Sequence, residues 1–137
     1  MPAKHFLDTN ILLYGYDLDA GAKRDTALRL IEAGWKKPGL NAISVQVLQE
    51  FYVNFIRLGR SDDEASLITE DLARWPVVDN TLELFGCGLT LRKRFQLSLW
   101  DAMILAAAKA SGASELLTED LSHGQDYDGI RAWNPFL

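Results

Sequence analysis

The chain has 137 residues, 48% hydrophobic and 24% charged, with 14 basic against 19 acidic side chains and a net charge of −5. That length and mixture describe one folded domain over 1–137, and no stretch nears the roughly 20 apolar residues of a membrane span, nor does the N-terminus carry a secretory leader, so a cytoplasmic address is expected. The single Cys87 and two histidines exclude a disulfide framework and a soft metal-ligand cluster, and the acidic balance argues against a broad basic surface for nucleic acid.

In chain order, Ala3 to Leu7 reads as a short apolar strand that ends in Asp8-Thr9-Asn10, polar groups suited to cap a short helix over Ile11 to Tyr16. A surface helix is expected from about Asp19 to Ala33, with Ala27, Leu28, Leu30 and Ile31 on one face and Gly34 as its terminator. Leu40 to Ile43 reads as a second strand. Ser44 then caps a helix that Gly59 closes, in which Val45, Leu48, Phe51, Tyr52, Phe55 and Ile56 form an apolar stripe and Gln46, Glu50, Asn54 and Arg57 a polar one.

Ser61 and Glu64 have the spacing of a capping box and start a helix running to about Arg74, which Pro76 ends before the brief strand Val77-Val78. Asn80 and Glu83 repeat that spacing ahead of a helix reaching Arg92-Lys93-Arg94, the densest positive cluster in the sequence. Ser98 caps a nearly all-apolar helix, Leu99 to Ser111, that Gly112 stops. Glu115 to Thr118 is the next strand, ending in Glu119 and Asp120, and after an Asp128-Gly129 turn Ile130 to Trp133 is the last. Short strands alternating with longer helices describe an α/β domain with a mainly parallel sheet of about five strands and helices on both faces.

Four carboxylates stand out by placement. Asp8 and Asp120 follow strands, Glu50 lies on the polar face of its helix, and Asp101 sits in the first turn of the apolar helix. Each has a plain structural reading: a cap for Asp8, a capping box with Ser98 for Asp101, a solvated helix residue for Glu50, a loop acid for Asp120. Jointly they say more, because in an open parallel sheet ligands bind beyond the carboxyl ends of the strands. If the first and fourth strands are neighbours, all four acids converge on one crevice.

Such a cluster needs compensation, since like charges and burial both raise carboxyl pKa values. Oxygen donors without Cys or His select Mg²⁺ or Mn²⁺, and the chemistry such an ion supports is metal-assisted phosphodiester hydrolysis. Setting the four acids aside leaves 15 acidic against 14 basic residues, so the net charge does not exclude a polyanionic substrate.

Phe6-Leu7-Asp8-Thr9-Asn10-Ile11-Leu12, Gln49-Glu50-Phe51, Leu99-Trp100-Asp101-Ala102 and Leu117-Thr118-Glu119-Asp120-Leu121, followed by His123-Gly124-Gln125 and Asn134-Pro135-Phe136, together resemble the PIN-domain ribonucleases, in particular the VapC-type toxins of VapBC toxin–antitoxin pairs. The likeness spans nearly the whole chain. It implies a PIN-like three-layer α/β/α sandwich and a site of Asp8, Glu50, Asp101 and Asp120 holding Mg²⁺ or Mn²⁺, with Asn10 and Thr118 orienting carboxylates or water and Glu119 outside the ligand set. It further implies a metal-dependent endoribonuclease with single-strand-specific cleavage of structured RNA such as tRNA or rRNA, a toxin that forms homodimers, and a VapB-type antitoxin that covers the cleft.

Arg92, Lys93 and Arg94 are candidate contacts to RNA phosphates, with Arg57 and Arg60 weaker ones, against the plain reading of a solvated helix face. Trp35, Trp75, Trp100 and Trp133 read as core or interface residues rather than stacking platforms. An aspartyl-phosphate phosphatase would want a second Asp where Asn10 stands, and there is no Gly-rich phosphate loop. A catalytically silent PIN-like module that binds RNA or protein is the alternative from another class, and it has no need of four mutually repelling acids.

Overall fold

The computed structural model describes residues 3–137. The elements are β1 (His5–Leu7), α1 (Thr9–Tyr16), α2 (Ala22–Lys36), β2 (Asn41–Ser44), α3 (Val45–Arg57), α4 (Asp62–Leu72), β3 (Val77–Val78), α5 (Leu82–Phe95), α6 (Leu99–Ser111), β4 (Glu115–Leu117), β5 (Asp126–Tyr127) and β6 (Ile130–Trp133). The strands form one sheet in the order β3-β2-β1-β4-β6-β5, parallel except for the β5–β6 hairpin. This is the expected α/β/α arrangement, with six strands and six helices among the described residues. The expected five strands miss β5, a two-residue strand too short to show any alternation. No helix among the described residues is long and apolar enough to cross a membrane.

The order of the strands places a site. From β1 the chain steps outward through β2 to β3, then returns to lay β4 on the other side of β1. Right-handed crossovers therefore put α1 to α4 on one face and the α5–α6 pair on the other. The helix contacts follow suit, with α1 against α2 and α3, α3 against α4, and α5 against α6. The chain leaves β1 through α1 on one face and reaches β4 from α6 on the other, so a crevice opens at the carboxyl ends of these two paired strands, which are only about 5 Å apart.

Local chemistry explains most boundaries. Ser44, Ser61 and Ser98 cap α3, α4 and α6 by accepting from the N–H groups of Val47, Glu64 and Asp101. Helix α5 is capped by Thr81, whose hydroxyl accepts from Leu84 at 3.0 Å, one residue beyond the expected Asn80. Helix α2 begins at Ala22 rather than near Asp19, because Asp17 accepts from the Asp19 N–H at 2.9 Å and holds that segment in a turn.

Gly34 does not terminate α2. It lies buried inside the helix, where an added Cβ would stand 2.8 Å from the Trp75 ring, so it marks a close approach of α2 to the residues ahead of β3. The core joins Phe6 and Leu7 of β1, Ile11 and Leu12 of α1, Val47, Phe51 and Phe55 of α3, Leu116 of β4 and an unbroken buried run of α6 from Ala102 to Ala108. The apolar stripe of α3 is shifted from its expected position. Val47, Phe51 and Phe55 are fully buried, while Ile56 is exposed.

Candidate active site at the β1–β4 crevice

Asp8 is the N-cap of α1 and is 7% exposed. Its Oδ1 accepts from the Thr9 N–H at 2.7 Å and its Oδ2 from the Thr118 hydroxyl at 2.8 Å. Thr118, buried just past β4, also accepts from the Asp120 N–H at 3.0 Å. One hydroxyl thus holds the carboxylate that follows β1 and the backbone that carries the acid following β4. On the other wall, the Thr9 hydroxyl donates to Glu50 Oε1 at 2.8 Å, tying α3 to the first turn of α1.

These bonds gather Asp8, Glu50, Asp101 and Asp120 around one small crevice of about 100 Å³, whose other walls are Thr9, Asn10, Gln46, Asn54, Trp100 and Ile104. All four acids singled out in the sequence line it. Asn10 does so as an exposed side chain on α1, and Thr118 lies buried beneath. Gln46, Glu50 and Asn54 recur every fourth residue, so the polar stripe of α3 is the wall of the crevice, with Arg57 left out in solvent.

The electrostatics are those of carboxylates without cations. Burial pushes the Asp8 carboxyl up to about 7, against the pull of the Thr118 and Thr9 hydrogen bonds, and the neighbouring Asp120 and Glu50 add to the rise. Asp101 is also raised, by burial first and then by Asp120, with the Ser98 hydroxyl opposing. Among the described residues, no Lys or Arg lines the crevice. Nor, among them, are three Asp, Glu, His or Cys side chains gathered tightly enough to grip an ion directly. The donor set therefore fits a hard, hydrated cation taken by one or two carboxylates, with the others reached through water.

Other predicted residues fall elsewhere. Glu119 turns away from the crevice and accepts from Tyr14 Oη and Lys23 Nζ, each at 2.6 Å. Arg92 and Lys93 are exposed at the end of α5, Arg94 bonds to Asp128 at 2.9 Å, and Arg60 pairs with Glu64 at 2.7 Å. Trp100, expected in core or interface, is exposed and lies on the rim of the crevice. A larger cavity of about 620 Å³ opens between α5 and α6, lined by Leu84, Cys87, Leu91, Ala106 and Ala110 among others. Its Asp128 is already paired with Lys109 and Arg94, which leaves the smaller crevice as the candidate for chemistry.

Comparison with known proteins bears on the fold. Among solved structures the chain is similar to a toxin–antitoxin complex from Klebsiella pneumoniae, with 28% identity, TM-score 0.68, and 96% of this chain and 98% of that one covered. It shares the fold of VapC20 from Mycobacterium tuberculosis, described as a toxin that cleaves the sarcin–ricin loop, with 22% identity, TM-score 0.65 and coverage of 85% and 90%. It also shares the fold of VapBC2 from Rickettsia felis, solved with a DNA fragment from its promoter, with 20% identity, TM-score 0.66 and coverage of 95% and 98%. No curated protein matches the sequence. The profile of the PIN domain matches residues 5–125, and the chain belongs to the PIN domain family.

Proposed function

We propose that this chain is a metal-dependent endoribonuclease, the VapC-type toxin of a toxin–antitoxin pair, with Asp8, Glu50, Asp101 and Asp120 as its catalytic and metal-binding acids. The observation that carries the reading is the convergence of four carboxylates, with no cation among the described lining residues, at the place where the sheet topology opens a cleft. A PIN domain with that cluster, similar over nearly its whole length to a protein solved as a toxin–antitoxin complex, supports hydrolysis of RNA phosphodiesters.

When bound, Mg²⁺ or Mn²⁺ would supply a water of lowered pKa and neutralise charge on the phosphoryl oxygens. The chain's own groups prepare that event. Asp8 and Asp120 would hold the ion from the two strand ends, with Asp101 and Glu50 as oxygen partners across the crevice. Thr118 and the Thr9 N–H fix both oxygens of Asp8, so the carboxylate cannot rotate. Thr9 fixes one oxygen of Glu50 in the same way, leaving the second to orient water.

Structured RNA such as tRNA or rRNA is the substrate class of this reading, and a VapB-type antitoxin and a second protomer are its partners. Exposed apolar side chains for such contacts stand on α3 at Val53 and Ile56 and on α5 at Leu82, Phe85 and Leu89. The test is cleavage of total cellular RNA by the purified chain in Mg²⁺ or Mn²⁺, beside the same protein in chelator and the Asp101→Asn variant. Discrete fragments absent from both controls are expected. Intact RNA with folded, metal-supplied protein would overturn the enzyme and leave a silent binding module.

A further inference from the structure

Trp100 stands apart from the other three tryptophans. Trp75 is buried and packs with Trp35 at 5.3 Å between ring centroids, and Trp133 lies 4.3 Å from the ring of His123. Trp100 is 65% exposed, against 41% for Trp35 and 40% for Trp133, and among the described residues its indole has no aromatic partner.

Its backbone, by contrast, is held firmly. Trp100 is the second residue of α6, in a turn pinned by the bond from the Asp101 N–H to Ser98 Oγ at 3.1 Å. Its carbonyl accepts from Gln46 Nε2 at 3.3 Å, a buried side chain reaching across from α3. An unstacked indole on a fixed stem, adjoining Asp101 on the rim of the acidic crevice, is a flat apolar face presented at a set position.

The crevice itself explains what such a face is for. Among the described residues no Lys or Arg lines the crevice to hold the nucleotide beside the reacting phosphate, so an uncharged contact is the one the lining offers it. Nucleobases suit such a contact, because every base has a π-face and stacking on an aromatic side chain tolerates any sequence. In a duplex that face is already occupied by the neighbouring base pair; in a loop it is free.

We propose that Trp100 is a nucleobase-stacking subsite, taking an unpaired base next to the phosphate held at the acids, and that this stack is the source of the single-strand preference which the family resemblance implies. The proposal rests on the nuclease reading for the identity of that phosphate. It is tested on the full chain with a short fluorescein-labelled single-stranded RNA and its duplex, in Mn²⁺ and in chelator, comparing wild type, Trp100→Phe and Trp100→Ala. Expected are binding about tenfold weaker in Trp100→Ala, the size of one lost stack, and near-wild-type binding in Trp100→Phe. The Mn²⁺ kinetics should show a raised KM with little change in kcat for Trp100→Ala. Single strands, and not duplex, should quench tryptophan emission in wild type, and this quenching should be lost in Trp100→Phe.

Equal RNA affinity in all three proteins, or a Trp100→Ala variant that loses self-association while its RNA affinity stands, overturns the proposal and makes the residue a protein contact. The two readings fail separately. Wild type that binds and quenches without cutting leaves the stack standing and removes the nuclease, whereas cleavage with an unaltered KM in Trp100→Ala removes the stack alone.

Discussion

Glu119 and Asp128 each rest against cations, whereas the four acids of the crevice have none among the described residues. Lys109 and then Arg94 hold the Asp128 carboxyl below its ordinary value. At Glu119 burial pulls upward, but the bonds from Lys23 and Tyr14 outweigh it and the net shift is down. Asp8, buried beside other acids, is pushed the other way, to about 7.

The contrast separates two uses of the same residue type. Paired acids at the surface fasten segments together: Glu119 joins the end of β4 to α1 and α2, and Asp128 joins the β5–β6 hairpin to α5 and α6. Unpaired acids at the strand ends carry a standing electrostatic cost that the fold alone does not relieve. A crevice of about 100 Å³ with that property outweighs, as a site, a mainly apolar cavity of about 620 Å³ without it.

The largest expected effect comes from breaking the unpaired set. Asp8→Asn should lower RNA cleavage more than about a hundredfold, beyond what loss of an outer-shell partner costs, as read from initial rates in Mn²⁺. Next comes Thr118→Val, which strips one oxygen of Asp8 of its donor and frees the Asp120 backbone. Cleavage should fall about tenfold. Because that hydrogen bond holds the Asp8 pKa down, the acid limb of the pH–rate profile should also move to higher pH. An unmoved limb would mean that Asp8 does not titrate in catalysis.

A third test concerns stability in chelator. The folded Asp8 keeps its proton up to about 7 while the unfolded chain releases it near 3.8, so between those values the folded state binds more protons. Stability should therefore fall as pH rises through that window, by up to about 1.4 kcal/mol per pH unit from this group, and the loss should be absent below it. Urea midpoints across the window should decline more steeply for wild type than for Asp8→Asn, leaving the variant the more stable protein at neutral pH. Parallel curves would refute the unpaired state of Asp8.

The smallest effect is expected in the paired set. Glu119→Gln removes a partly exposed ion pair, and its thermal midpoint should drop slightly with cleavage unchanged. A large loss of cleavage would place Glu119 in the machinery and erase the comparison.

Local chemistry makes much of this protein legible in its sequence. The serine caps at 44, 61 and 98, the apolar run of α6 and the polar endings of β1 and β4 depend on neighbours a few residues apart, so periodicity and capping identify them directly. The four acids can be named because each sits at such a boundary or on a polar helix stripe. Gly34 escapes this kind of reading, because a glycine's local signature is the same whether it ends a helix or admits a neighbouring ring, and only the approach of Trp75 distinguishes the two.

What the tertiary structure alone decided is pairing. That β4 lies beside β1, that Thr118 bonds Asp8 across 110 residues, that Glu119 meets a cation while Asp8 does not, and that Trp100 stays uncovered all depend on which distant segments meet. A one-dimensional pattern specifies what each residue can do. The charge, burial and company that determine what it does are properties of the packed chain.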